Sequence, residues 1–179
     1  IIIALDGMDK DDVLNLLRKI PDIAWVKVGL ELFVSEGPHI LSLLKDKGKK
    51  IFLDLKFHDI PTTVARACFA ASQTGAELIS LHTCAGIKAL KMAKEASLEG
   101  AAKVDLTPPK LLGITILTSW KQESFVNDLL IDQSIDKRVR HLAEIASNSG
   151  LGGWDSREDA EDAAHKLLDL GLGGYVIKL

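Results

Sequence analysis

The segment IFLDLKFHDIPTT, residues 51–63, places two acidic and two basic side chains within six positions of an otherwise apolar strand pattern. Because side chains alternate across a strand, Asp54 and Lys56 should share one face, where an unpaired buried charge is strongly unfavourable. Lys27, at the end of the preceding apolar run, and Asp59 can complete an alternating Lys–Asp–Lys–Asp array. Such an array keeps a lysine protonated beside a carboxylate, which prepares a proton donor in a negative field.

A simpler interpretation is available for the same residues. Asp54 and Lys56 would then form a structural ion pair, and Asp59 would only cap a helix that begins at Pro61. The positions of Lys27 and Asp6, at the ends of neighbouring apolar runs, favour a functional site over this alternative.

The elements that must position these charges follow a βα repeat, since short apolar runs alternate with longer amphipathic stretches. The predicted strands are residues 1–6, 24–29, 50–56, 76–82 and 111–119. The predicted helices lie near residues 11–20, 31–47, 61–74, 85–97 and 134–149. Each strand is a nearly continuous apolar run, which is typical of a parallel sheet covered on both faces.

Two features favour a closed (β/α)8 barrel of the TIM type over an open α/β sheet. No GxGxxG or GxxxxGK[ST] segment follows any strand, so the usual phosphate loops of open sheets are missing. Polar residues also recur at successive strand ends, where catalytic groups of barrels converge. These residues are Asp6, Lys27, Asp54, Lys56, His82, Thr118 and Ser119.

Composition excludes several functional classes. The chain has 179 residues, 47% of them hydrophobic, and a formal net charge of −3 without a lysine cluster, which argues against a nucleic-acid partner. No apolar run approaches the roughly 18 residues of a membrane span. Cys68 and Cys84 lack metal or CxxC spacing, so we expect a reduced, cytoplasmic protein. The opening IIIALD is already strand-like, which predicts a few further residues before it.

Five segments resemble orotidine 5′-phosphate decarboxylase of the bacterial or cyanobacterial type. They are ALD at 4–6, WVKVGLELF at 25–33, DLKFHDIPTT at 54–63, HTCAG at 82–86 and LGITILTS at 112–119. The D-x-K-x-x-D pattern is shared with sister enzymes that act on sugar phosphates, so by itself it indicates only the superfamily. The segment IPTT and the lysine of KVG narrow the resemblance to orotidine 5′-phosphate decarboxylase. It covers residues 1–153, which we take as a partial barrel.

The resemblance implies a role for each charged residue. Asp6 would bond a ribose hydroxyl, and Lys27 would contact the sugar and brace Asp54. Asp54 would lie against the substrate carboxylate, so that repulsion is relieved as carbon dioxide leaves. Lys56 would stabilise the carbanion at C6 of the pyrimidine and protonate it.

The resemblance also implies the remaining contacts. Ser119, helped by Thr118, would bond the pyrimidine amide, and Ile60 and Pro61 would line its pocket. The family acts as a homodimer in which Asp59 and Thr63 reach into the partner's site. It needs neither a metal nor a cofactor, and its substrate is a small nucleotide. The predicted catalytic residues are Lys27, Asp54, Lys56 and Asp59. The predicted substrate-binding residues are Asp6, Ile60, Pro61, Thr63, Thr118 and Ser119.

Plainer explanations exist for some of these residues. Thr118 and Ser119 can be an N-cap pair for the following segment. His82 can be a satisfied core histidine, which we favour over a catalytic role. His58, Asp59 and His82 do not have the spacing of a metal-binding motif.

The resemblance stops after Gly153. Residues 154–179 are predicted to form a helix over 156–170 and a strand over 174–179. We interpret this segment as foreign to the family, since it lacks the family's phosphate-binding motifs. We therefore predict a barrel incomplete at this end and severely reduced activity, because remote phosphate binding helps lower the barrier. Two alternatives stay open: a magnesium-dependent sugar-phosphate decarboxylase or aldolase of the same superfamily, and an inactive nucleotide-binding fragment.

Overall fold

The computed structural model describes residues 2–151, which form a five-stranded parallel sheet in the order β1-β2-β3-β4-β5. The strands are β1 (Ile2–Ala4), β2 (Trp25–Gly29), β3 (Lys50–Phe57), β4 (Leu78–His82) and β5 (Lys110–Ile114). Each strand pairs with the next one along the chain, so the predicted parallel βα repeat is confirmed. The helix and strand predicted for 156–170 and 174–179 lie outside the described residues.

Helices follow the strands and cover the sheet. They are α1 (Lys10–Lys19), α2 (Leu30–Glu36), α3 (His39–Asp46), α4 (Pro61–Ser72), α5 (Ile87–Lys103), α6 (Gln122–Leu129) and α7 (Ile135–Asn148). Local chemistry fixes several of their ends. The Asp9 carboxylate accepts from the Asp12 amide at the start of α1, and the Ser134 hydroxyl accepts from the Lys137 amide at the start of α7.

Several elements differ from the predictions, including α5, which ends at Lys103 rather than near residue 97. The single helix expected over 31–47 is two helices, because Gly37 has a φ of 66° and Pro38 starts a new helix after it. The fifth strand ends at Ile114 rather than near Ser119. Helix α6, which was not predicted, buries Phe125 completely.

The core lies between the sheet and its helices. Strand side chains such as Val26, Ile51 and Ile79 are fully buried, and so are Leu41 of α3 and Leu90 of α5. These nearly continuous apolar strands explain why both faces of the sheet are covered. Within residues 2–151, no helix is long and apolar enough to cross a membrane.

Helices α4 and α5 approach each other closely at Gly100. A Cβ atom added to Gly100 would collide with the Ser72 hydroxyl and with the Phe69 carbonyl oxygen, both on α4. Because a backbone atom cannot move aside as a flexible side chain can, only a residue without a side chain fits there.

Candidate active site

Four charged side chains meet at the carboxyl ends of the first three strands. We call them the charge chain: Asp6, Lys27, Asp54 and Lys56. The Lys27 Nζ lies 2.7 Å from each carboxylate oxygen of Asp6 and 3.9 Å from the Asp54 Oδ2. The Lys56 Nζ lies 2.8 Å from the same Asp54 Oδ2. Acid and base therefore alternate along this rim, as the sequence pattern predicts for Lys27, Asp54 and Lys56.

Burial makes the central part of the charge chain electrostatically strong. The Asp54 side chain is 9% exposed, against 18% for Lys27 and 22% for Lys56. Two ammonium groups thus flank one nearly buried carboxylate, where the attraction is stronger than in water. Asp6, at 56% exposed, forms the solvent end of the chain. Removing either partner of the Asp54–Lys56 pair would leave a poorly solvated charge.

Ser80 of β4 completes the surroundings of Asp54, and the sequence analysis missed it. Its hydroxyl donates to the Asp54 Oδ1 over 2.8 Å and accepts from the Lys56 amide over 2.9 Å. Ser80 is fully buried. The signal was present, since Ser80 is a polar residue inside the apolar run LISL, at 78–81, and faces the end of the third strand.

The other predicted residues of the third strand's loop lie outside the charge chain. The Asp59 Oδ1 accepts from the Ile60 amide over 2.6 Å, and Asp59 forms no ion pair within residues 2–151. The prediction that Asp59 is the fourth member of the alternating array is therefore wrong within this chain. The fourth member is Asp6, which pairs with Lys27. Asp59, Ile60 and Thr63 are exposed around the start of α4, and Pro61 is that helix's first residue.

Thr118 and Ser119 lie in an exposed turn beyond β5. The Trp120 amide donates to the Leu117 carbonyl and closes this turn. The alternative that this pair caps the next helix is wrong, because α6 begins at Gln122 and its N-cap is Lys121. Nothing in the described residues joins this turn to the charge chain by a hydrogen bond or an ion pair.

His82 ends β4 next to the charge chain, and its ring centroid lies 5.3 Å from that of His58. Burial lowers the pKa of His82, and the positive charges of His58 and Lys56 lower this pKa further, against an opposing effect of Asp54. This lowered pKa favours the neutral form of the ring. Its buried Nδ1 has no hydrogen-bond partner among the described residues, so it is not the fully satisfied core histidine that we favoured.

A metal centre finds no support in this part of the chain. Among residues 2–151, no group of three or more His, Cys, Asp or Glu side chains is placed to hold a metal ion. The rim instead offers two ammonium groups and two carboxylates in alternation. Such a set can bind hydroxyls at its exposed end and move a proton at its buried end.

Comparison with known proteins places this arrangement in a family. The model of the "Orotidine 5'-phosphate decarboxylase / HUMPS family" matches residues 1–172. An orotidine 5′-phosphate decarboxylase from Prochlorococcus marinus strain NATL1A is 85% identical over 153 residues, covering 86% of this chain and 64% of the relative. One from Parasynechococcus marenigrum strain WH8102 is 50% identical over 153 residues, covering 86% and 62%. The chain thus spans less than two thirds of these curated relatives.

Solved structures agree with the sequence comparisons. Orotidine 5′-phosphate decarboxylase from Lactobacillus acidophilus has a TM-score of 0.79 at 35% identity, covering 86% of this chain and 69% of that one. An uncharacterized conserved protein from Geobacillus kaustophilus has a TM-score of 0.79 at 36% identity, covering 85% and 71%. The predicted TIM-barrel fold class is confirmed. On the family match and these likenesses together, the chain belongs to the orotidine 5′-phosphate decarboxylase / HUMPS family.

Proposed function

We propose that this chain decarboxylates orotidine 5′-phosphate to uridine 5′-phosphate, the carboxy-lyase reaction of de novo pyrimidine biosynthesis. The observation that carries the proposal is the charge chain at the strand ends of a member of this family. The curated relatives are named for this enzyme. Both free thiols, Cys68 and Cys84, suit a reducing compartment, so we place the reaction in the cytoplasm.

Asp54 supplies the electrostatic part of the proposed reaction. Its carboxylate is fixed by Lys56, Lys27 and Ser80, so it cannot swing away when a second carboxylate approaches. Repulsion between the two anions disappears as the bond from C6 to the carboxyl group breaks and carbon dioxide leaves. Because this repulsion is stronger in the bound substrate than in the transition state, it lowers the activation free energy.

Lys56 supplies the proton. The electron pair of the broken bond stays on C6 and is stabilised by the adjacent ammonium group. The ammonium then gives one proton to C6, forming the new C–H bond, and the neutral amine takes a proton back from water. The position of Lys56, 22% exposed and 2.8 Å from Asp54, supports both steps.

Asp6 and Lys27 bind the ribose in this proposal. Asp6 is the exposed end of the charge chain and can accept from a hydroxyl, while Lys27 links it to Asp54. Thr118 and Ser119 bond the pyrimidine amide from the turn after β5, and Ile60 and Pro61 line the pyrimidine pocket.

The proposed assembly is a homodimer in which Asp59 and Thr63 enter the partner's site. Exposed apolar side chains support the proposal, since Ile60 is 64% exposed and Val34 of α2 is 77% exposed. Leu30, one turn before Val34, is exposed as well. Large apolar side chains exposed to this degree are candidates for burial in a protein–protein interface.

We propose low turnover for this chain by itself, since residues 154–179 lack the family's phosphate-binding motifs. We also propose 1–153 as the decarboxylase-like part and 154–179 as a separate segment. The curated relatives that align over 153 residues support this boundary, although the family model extends to residue 172.

The direct test is to mix the purified chain with orotidine 5′-phosphate and follow the change in pyrimidine absorbance, with and without magnesium. We expect slow turnover that does not depend on magnesium. Turnover only with magnesium, on a sugar phosphate instead, would identify the sister enzyme. Heat of binding with uridine 5′-phosphate but no turnover would identify an inactive binding fragment. The absence of both turnover and binding would refute the proposal.

Gly29 offers a test of the ribose contact. A Cβ atom on Gly29 would lie 2.5 Å from the Asp6 Oδ1 and 3.3 Å from the Lys27 Nζ, so Gly29→Ala must displace the Asp6 carboxylate. We expect KM for orotidine 5′-phosphate to rise by about tenfold, the effect of about 1.4 kcal/mol, with a smaller change in kcat.

Asp6→Ala is the matched control for Gly29→Ala. The two substitutions remove one contact, so the double variant should be no worse than Asp6→Ala alone. If the KM increase of the double variant equals the product of the two single increases, Gly29→Ala does not act by displacing the Asp6 carboxylate.

A further inference from the structure

The pairing of β3 with β4 changes register at the centre of the site. Leu53 pairs with Ile79 and Phe57 pairs with Leu81, so residues 54–56 of β3 face the single residue Ser80 of β4. Lys56 has a φ of 50°, in the left-handed region that lysine rarely adopts. This bulge, rather than simple strand alternation, sets the direction of the Lys56 side chain.

A bulge leaves backbone groups without their ladder partners, and here the Ser80 side chain replaces one of them. The Lys56 amide donates to the Ser80 hydroxyl over 2.9 Å. The same hydroxyl donates its only hydrogen to the Asp54 Oδ1 over 2.8 Å. One fully buried side chain thus holds the backbone of the proposed proton donor and the carboxylate beside it.

We propose that Ser80 is the positioning residue of this site. Its hydroxyl holds the bulge closed and turns the Asp54 Oδ2 toward the Lys56 ammonium, which lies 2.8 Å away. Ser80 does not touch the reacting atoms in this proposal and acts only through Asp54 and Lys56. The catalytic part of the inference depends on the proposed decarboxylation, whereas the structural part does not.

The geometry separates this role from ordinary core packing. A buried serine often donates to backbone nearby in its own element, as Ser97 does in helix α5, where its hydroxyl donates to the Lys94 carbonyl. Ser80 instead joins two charged residues of another strand. Loss of its hydroxyl therefore leaves a buried amide without an acceptor and a carboxylate oxygen without a donor.

The test is Ser80→Ala in the full 179-residue chain, with Ser97→Ala as the matched control that removes a buried hydroxyl elsewhere. We expect kcat for orotidine 5′-phosphate to fall by about 10- to 100-fold, with KM changed by less than about threefold. Ser80→Thr, which keeps the hydroxyl, should retain more activity than Ser80→Ala, and Ser97→Ala should behave as the unsubstituted chain. Equal losses of kcat in Ser80→Ala and Ser97→Ala would overturn the catalytic part.

Amide hydrogen exchange measured by NMR gives a second reading that does not require activity. In Ser80→Ala, the Lys56 amide should exchange at least about tenfold faster, while the Val26 and Val28 amides of β2 keep their rates. Unchanged exchange at Lys56, or an equal increase at all three amides, would overturn the inference. If the unsubstituted chain shows no turnover, the proposed function fails for this chain, and the exchange rates alone decide whether Ser80 holds the bulge.

Discussion

Lys56→Ala should reduce decarboxylation of orotidine 5′-phosphate by at least about 10³-fold, because it removes both the cation beside the carbanion and the proton donor. The loss should appear in kcat, since the ammonium acts most strongly once charge develops at C6. Asp54 keeps Lys27 at 3.9 Å and the Ser80 hydroxyl at 2.8 Å, so the variant should still fold, with a lower melting temperature because the Lys56 partner of Asp54 is lost. Steady-state kinetics with a circular-dichroism melt measure both effects.

Lys91→Ala is the control for this substitution. Lys91 is exposed on α5, so removing its charge tests whether a lost lysine has any general effect on the chain. Its kinetics should match those of the unsubstituted chain. A Lys56→Ala variant that retains full activity would refute the assignment of the proton donor and, with it, the proposed reaction.

Gly100→Ala should destabilise the chain by about 2–3 kcal/mol, through forced separation of α4 and α5. Helix propensity alone would act in the opposite direction, since alanine is favoured over glycine by about 1 kcal/mol within a helix. The collision with the Phe69 carbonyl oxygen decides the sign, because that atom belongs to the backbone of α4. The melting temperature should fall by about 4–12 °C in a domain of this size.

The control is the neighbouring position, Glu99, which is exposed on the same helix. Glu99→Ala changes helix propensity only slightly, so its melting temperature should stay within about 2 °C of the unsubstituted chain. If Gly100→Ala melted higher than the unsubstituted chain, the two helices would not be packed as closely as the structure places them.

The sequence predicts three members of the charge chain, Lys27, Asp54 and Lys56, whereas Asp59, expected as the fourth member of the array, lies outside it. Two simple rules explain the part that was predicted. Parallel strands end at the same rim, which brings Asp6, Lys27 and Asp54 together, and a buried charge requires a partner. These rules depend on residue type and strand order alone. The parallel βα repeat was predicted from a different signal, the alternation of short apolar runs with longer amphipathic stretches.

The sequence shows Ser80 only as a polar residue within an apolar strand, and its contacts could not be predicted because they depend on a change of register. Regular pairing after Leu53 and Ile79 would place Leu55 opposite Leu81, yet Phe57 occupies that position. Nothing in a single sequence reports such an insertion in a strand. The division of the helix at Gly37, in contrast, was readable from the Gly-Pro pair, and a long apolar pattern outweighed it.

The left-handed backbone at Lys56 has a consequence for how such a chain can be engineered. A side chain at a φ of 50° carries a conformational penalty of about 1–2 kcal/mol that glycine avoids. The backbone alone would therefore favour glycine at position 56, whereas the ion pair with Asp54 and the proposed proton transfer both require the lysine side chain. The conformational penalty at position 56 is thus tied to the proposed role of its side chain. Substitutions that raise the melting temperature should therefore be sought at positions remote from it.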